Sequence, residues 1–411
     1  MSEATSGVVL AGAAALGAYE AGVLDHVVRR VGPEVGRRQL FDVISGTSAG
    51  AINAAELAAF ADDPAAGATR LCETWSELVL GQTIRPATVE LLLLALEAPG
   101  VPSQLARALK LRSARGGLFD PRSITSLLTR KLPLHRVGDH LVAGRLRALA
   151  LSATHVATGK AAVFYQTAGE VAPWTSNDDS ILIPTEIGVV HAMASAAIPL
   201  VFPPVVIGGE IYCDGGLRQL VPLSPSLHLG ARRLLVVNPL AKQEVSDDQA
   251  RRDATTSPLY LAGKALNALF LDRTEVDVAR VDQLSNVLRA GRRRFGPTFD
   301  AELNAELGRM HVNPLHEVTT LRIGPSRDLG KLAVELVTSS AFAKRERGLV
   351  GHAMRCLAQS GPTRTGDLLS YLLFDGAFAA ELIALGRADA RAHHAELCEL
   401  FAAPERTARA G

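Results

Sequence analysis

Cysteine is scarce in this 411-residue chain, and the four present, Cys72, Cys213, Cys356 and Cys398, stand far apart without a CxxC pair. That spacing argues against a disulfide framework and against a zinc site, so no metal and no cofactor are expected. Net charge is also nearly absent. With 43 basic and 42 acidic side chains the formal charge is +1, and no global field points towards nucleic acid. Neither a full GxGxxG nor a GK[ST] follows the first strand-like run, which removes the usual signals of a dinucleotide or nucleotide site. Apolar stretches do not amount to membrane spans either. The uncharged run Ile187 to Gly209 is interrupted by Pro199, Pro203 and Pro204, which break a spanning helix. Ala4 to Tyr19 has Glu3 rather than a basic residue before it and breaks at Gly12 and Gly17, so it reads as strand, turn and helix rather than a signal peptide. The expectation is a cytoplasmic protein with a small, mostly neutral substrate, no nucleic-acid partner and at most peripheral contact with a membrane. No motif specifies an oligomeric state.

What is there is a series of short β-prone runs separated by helix-like stretches: Val8 to Ala11, Phe41 to Ser45, Leu146 to Thr154, Ala162 to Gln166, Glu210 to Cys213 and Leu234 to Val237. Their near-continuous hydrophobicity predicts a mostly parallel sheet covered on both faces, an α/β class protein. After Pro239 the polar stretch KQEVSDDQARRDATTSP reads as a surface connection, and helical periodicity follows, with one more strand candidate at Thr320 to Ile323. The expected organisation is an α/β domain over residues 1–240 and a mainly helical extension over 241–411. Residues 89–117 combine an oily run with a basic amphipathic one, either two core-facing helices or a lid that meets lipid. The basic cluster of Arg289 and Arg292 to Arg294 reads as a solvated face, with anionic head groups as the alternative partner.

Three local patterns carry chemistry. GTSAG places Ser48 between Gly46 and Gly50, after an apolar run and before the helix former AINAAELAAFAD. Flanking glycines allow a sharp strand-to-helix turn that exposes the hydroxyl as a nucleophile. A serine also needs donors for its oxyanion and a base for its proton. The amides of Gly12, Ala13 and Ala14, in a small-residue turn opening a helix, are candidate donors. Asp214 ends the run EIYCD and precedes Gly215 and Gly216, so a strand delivers a carboxylate onto a loop. Taken alone it also fits an ordinary hairpin turn. A second Asp-Gly, at Asp375 and Gly376, lies in a segment of helical period and reads as a helix boundary or surface position.

With these residues in view, the chain resembles the patatin-like phospholipase family of lipid acyl hydrolases. The segments that carry the resemblance are LAGAAALGAYEAGVL, DVISGTSAGAINA and AMASAAIPLVFPPVVIGGEIYCDGGLRQLVPLSP, spanning residues 8 to about 240. SATHVATGKAAVFY and LLSYLLFDGAFAAELIALGRADA are also similar to family elements. The resemblance implies a three-layer α/β/α fold and a lipid or other acyl-ester substrate. It also implies a Ser-Asp dyad without histidine, in which Asp214 takes the Ser48 proton and the Gly12 to Ala14 amides hold the oxyanion.

The chain departs from the family at Ala13 and Ala14, in a run usually of glycines, and at Leu16, where a basic residue is usual. Leu220 stands where asparagine is common. If Ala13 or Ala14 must adopt positive φ, each costs about 1 kcal/mol or more. Two other readings stand beside the hydrolase. One is a catalytically impaired patatin-like module that binds lipid or protein. The other is an α/β-hydrolase triad drawing on His228, His311 or His316.

Overall fold

The computed structural model describes residues 5–83, 122–169, 180–199, 201–240, 273–310, 312–359 and 365–402. The segments 89–117 and 242–258, and His311, lie outside the described residues.

Nine strands form one sheet among the described residues: β1 Ser6–Leu10, β2 Val43–Thr47, β3 Ala148–His155, β4 Ala161–Thr167, β5 Ser180–Pro184, β6 Val205–Ile207, β7 Glu210–Asp214, β8 Arg233–Val237 and β9 Thr319–Ile323. The main path runs β5-β4-β3-β2-β1-β8-β9. From β3 across to β9 every pairing is parallel. β4 and β7 are the antiparallel partners of β3. The chain steps from β1 outward to β3 and later returns to the other side of β1 with β8, so the strand order reverses at β1. In open α/β sheets ligands bind outside the carboxyl ends of strands at such a point. Gly12 follows β1 and Ser48 follows β2 there.

The seven strand candidates read from the sequence all lie in this sheet. β5 and β6 were not anticipated: β6 has three residues directly behind Pro203 and Pro204, too short to show a period.

Alternation along β1 and β8 feeds two cores. Val8 and Leu10 of β1 and Leu235 and Val237 of β8 belong to the larger cluster, whereas Val9, Leu234 and Val236 belong to the one on the opposite face. Successive side chains of a strand point to opposite faces, so continuous apolar runs mean burial on both sides. The larger face is covered by α1 Gly17–His26, α2 Ala49–Ala59, α3 Pro64–Ser76, α4 Arg122–Lys131 and α5 Val189–Ser195. The other carries α6 Leu223–His228 and α7 Arg273–Phe295. This is the expected three-layer α/β/α arrangement.

Beyond residue 240 the chain is mainly helical, with α8 Phe299–Arg309, α9 Leu329–Thr338, α10 Leu349–Gln359, α11 Thr365–Leu372, α12 Gly376–Ala392 and α13 His394–Phe401. It also supplies the edge strand β9, and Phe378, Leu382 and Ile383 of α12 join the same core as α1. Asp375 caps α12 by accepting the N–H groups of Ala377 and Phe378, and Arg345 meets both its oxygens at 2.7 Å. It is a helix boundary, as its context predicts, and buried rather than exposed.

Candidate active site

β2 ends at Thr47 and α2 begins at Ala49, so Ser48 alone makes the turn. Its backbone sits at φ 55° and ψ −121°. Side-chain-bearing residues avoid that region, at a cost of about 1–3 kcal/mol, and keep it only when the surroundings impose it. The glycines on either side act here through space. A Cβ on Gly46 would lie 2.1 Å from the Gly50 carbonyl oxygen, and one on Gly50 would lie 2.4 Å from that of Leu10. Ser48 is further held by Ser195, whose hydroxyl oxygen accepts the Ser48 N–H at 2.9 Å and donates to the Ser152 carbonyl at 2.5 Å.

Asp214 reaches the same place by sheet register. β3 pairs with β2 up to Thr47, opposite Ser152, and then with β7 starting at Asp214, opposite Ala153. The opposite edge of β3 is already occupied by β4, so β7 takes over the edge that β2 leaves. The consequence is direct. Ser48 Oγ donates to Asp214 Oδ2 at 2.6 Å.

The other carboxylate oxygen, Oδ1, accepts the Gly216 N–H at 2.7 Å. The Asp214 backbone is pinned as well: its N–H donates to Ala197 and its carbonyl accepts from Thr154 Oγ1. A Cβ on Gly215 would stand 2.2 Å from the Ser152 carbonyl oxygen, so only glycine lets the turn close against β3. Asp214 is wholly buried and Ser48 nearly so. Burial pushes the Asp214 carboxyl up to about 7, against the hydrogen bonds from Ser48 and Gly216, which favour the carboxylate. A carboxylate of that basicity is suited to accept a proton near neutral pH.

Beside Ser48 opens a narrow apolar cavity of about 70 Å³, with Ala14, Ile52, Trp75, Phe202 and Phe374 among its walls. Residues 8–227, more than half of the chain, match the family described as Patatin-like phospholipase. The chain belongs to the patatin-like phospholipase family. No curated protein matches it in sequence. Among solved structures, the crystal structure of VipD from Legionella pneumophila is similar at 12% identity over 95% of this chain and 93% of that one, with a TM-score of 0.26.

Against the usual patatin-like pattern, the loop after β1 is altered in sequence but tied in place. The Gly12 N–H donates to the Leu220 carbonyl at 3.0 Å. That amide is therefore occupied, whereas the sequence had offered it as an oxyanion donor. Leu220 serves the loop through its backbone. Of the two alanines, Ala13 has φ −152° and Ala14 has φ 49°, so only Ala14 carries the left-handed strain. Leu16 packs in the core.

Ser195 and Thr154 escaped the reading of the sequence. Ser195 sits in AMASAAIP, where small residues look like helix packing, and only the fold brings it under Ser48. His228 and His316 go elsewhere. His228 closes α6 with its Nδ1 2.7 Å from the Ser224 carbonyl oxygen, and His316 is exposed. Arg289 and Arg292 both pair with Glu317, which makes their surface a paired, solvated one.

The cysteines are all free, and Cys213 fills β7. Tertiary structure does assemble one set with ligand-type atoms that spacing among cysteines did not reveal: Glu34, His394 and Cys398, within 4.8 Å of one another. His394 there is already hydrogen-bonded to Glu34 at 2.8 Å and to His26 at 3.0 Å.

Proposed function

We propose that this protein is a serine acyl hydrolase of lipid esters that works through the Ser48–Asp214 dyad and a covalent acyl-enzyme. The observation that carries the reading is the 2.6 Å hydrogen bond from Ser48 Oγ to a buried carboxylate, at the wall of an apolar cavity. Ser48 Oγ attacks the ester carbonyl carbon while its proton passes to Asp214 Oδ2. The resulting oxyanion is met by the amides of Ala13 and Ala14, with Gly12 holding the loop through Leu220. Collapse expels the alcohol, which takes the proton from Asp214. Water then attacks the acyl-enzyme with Asp214 again as base, and the free acid leaves.

The apolar lining supports an acyl chain rather than a charged group as the part bound beside Ser48. Lipid substrates are met at an interface, so contact with a membrane is peripheral. No helix among the described residues is long and apolar enough to cross one.

Labelling with a fluorophosphonate probe and peptide mapping tests the nucleophile, and an ester panel with wild type, Ser48→Ala and Asp214→Asn tests the dyad. Label on Ser48, with hydrolysis lost in both variants, is the expected result. Folded protein that takes no label on Ser48 would point to a binding module instead.

A further inference from the structure

The pocket beside the nucleophile contains one residue that an acyl pocket does not need. Ser48, Ala49, Ile52 and Glu56 all line it, and a step of four residues keeps Ile52 and Glu56 on one face of α2, which starts directly after Ser48. At 1.5 Å per residue the pocket therefore follows the helix for about 12 Å from Ser48 to Glu56. Around it stand Leu71, Trp75, Leu128, Ile198 and Phe374.

Glu56 is 0% exposed, and neither of its carboxylate oxygens has a hydrogen-bond partner. Arg70 forms a loose ion pair with it, Nε standing 3.8 Å from Oε1, beyond hydrogen-bonding distance. The Arg70 Nε has no hydrogen-bond partner of its own, while the rest of the guanidinium meets the Lys131 carbonyl and the face of Phe60. An unsatisfied buried carboxyl is costly, more so than an unsatisfied neutral group. Neither helix formation nor packing asks for it, since a leucine at this position would simply continue the apolar wall.

We propose that the pocket selects acyl chains bearing a hydroxyl group part-way along the chain, with Glu56 accepting its hydrogen bond. This rests on the acyl hydrolase reading above. A hydroxyl fits better than an ammonium, because the Arg70 guanidinium already faces the same carboxyl and opposes a second cation. A buried polar group built to meet a substrate donor also discriminates strongly against the analogue lacking it, because that analogue leaves the group unpaired. Burial pushes the Glu56 carboxyl up to about 7 against the pull of Arg70, so both the acid and the carboxylate are populated near neutrality, and either accepts from a hydroxyl.

The test uses p-nitrophenyl esters of one chain length, unsubstituted or with the hydroxyl moved stepwise along the chain, against wild type, Glu56→Leu and Glu56→Gln. Wild type should favour one hydroxyl position by about tenfold or more in kcat/KM over the unsubstituted ester. Glu56→Leu should erase that preference, and Glu56→Gln, which keeps a carbonyl acceptor, should retain part of it. A preference unchanged in Glu56→Leu, or no gain at any hydroxyl position in wild type, overturns the proposal.

Failure of wild type to hydrolyse any ester would refute the hydrolase reading instead. Binding of hydroxylated and plain fatty acids to Ser48→Ala, followed by the fluorescence of Trp75 in the pocket wall, then decides the role of Glu56. Tighter binding of the hydroxylated acid that disappears with Glu56→Leu supports it, and equal binding overturns it.

Discussion

Thr47 and Asp214 are consecutive partners along one edge of β3, opposite Ser152 and Ala153. Because Ser48 follows Thr47 directly, its hydroxyl meets a carboxylate 166 residues away through sheet register alone. Neither side chain relies on a mobile loop to find the other. The geometry is as rigid as the sheet.

Hydrolysis should depend on pH through Asp214. Only the carboxylate accepts the Ser48 proton, and burial holds this group up to about 7. With a neutral ester, kcat/KM should rise about tenfold per pH unit on the acid side and level off above about pH 7. A flat profile between about pH 5 and pH 9 would remove Asp214 as the base.

The same shift makes the active site a burden on stability. The native carboxyl binds its proton more tightly than the unfolded one, whose pKa is about 3.9. Between about pH 4 and pH 7 the unfolded chain releases a proton that the native state keeps, so stability declines across that window and stays lower above it. Asp214→Asn should therefore melt higher than wild type at about pH 8, with a smaller difference at about pH 4, while losing activity. Thermal melts at both pH values check this, and no gain at the higher pH would count against a buried, charged Asp214.

Ala14 and Ala13 should respond oppositely to glycine. Ala14, at φ 49°, should gain about 1 kcal/mol on replacement, because glycine enters that region without a Cβ penalty. Ala13, at φ −152°, should gain nothing or lose up to about 1 kcal/mol through added backbone entropy in the unfolded chain. Urea denaturation of the two single variants compares them directly.

Ser195→Ala should impair catalysis without touching substrate. It deprives the Ser48 N–H of its acceptor and the Ser152 carbonyl of its donor. Leaving such buried groups unsatisfied costs about 1–3 kcal/mol each. A fall in kcat with KM little changed is the expected signature of a misplaced nucleophile, and unaltered kcat in a stable variant would show that Ser195 is only packing.

Alanine at His228 or His316 should leave turnover within about twofold of wild type, since both oxygens of Asp214 are engaged by Ser48 and Gly216. A hundredfold loss in either folded variant would restore a triad.

Much of the fold was legible because its strands are buried on both faces and announce themselves as continuous apolar runs. Val8, Val9 and Leu10 are apolar without a break because both core clusters claim them in turn. β6 was not legible, since three residues after two prolines owe their pairing to β7 rather than to any pattern of their own. Gly12 was misread as a free donor for a related reason. Whether an amide is available depends on what packs against it, and Leu220 is far away in the chain.

By itself the sequence determined that Ser48 stands on a sharp turn between a strand and a helix, because that turn depends on its immediate neighbours and on the missing Cβ atoms of Gly46 and Gly50. Which aspartate serves it was a tertiary decision. Asp214 and Asp375 each precede a glycine, and only the former lies where β7 replaces β2 on the edge of β3. The placing of Glu56 in the pocket wall, without a hydrogen-bond partner, was likewise decided by packing, as an ordinary glutamate in an alanine-rich helix reveals nothing until the helix has a face against the cavity. Local turns are written in adjacent residues, whereas partners and burial are set by register and packing between segments far apart in the chain.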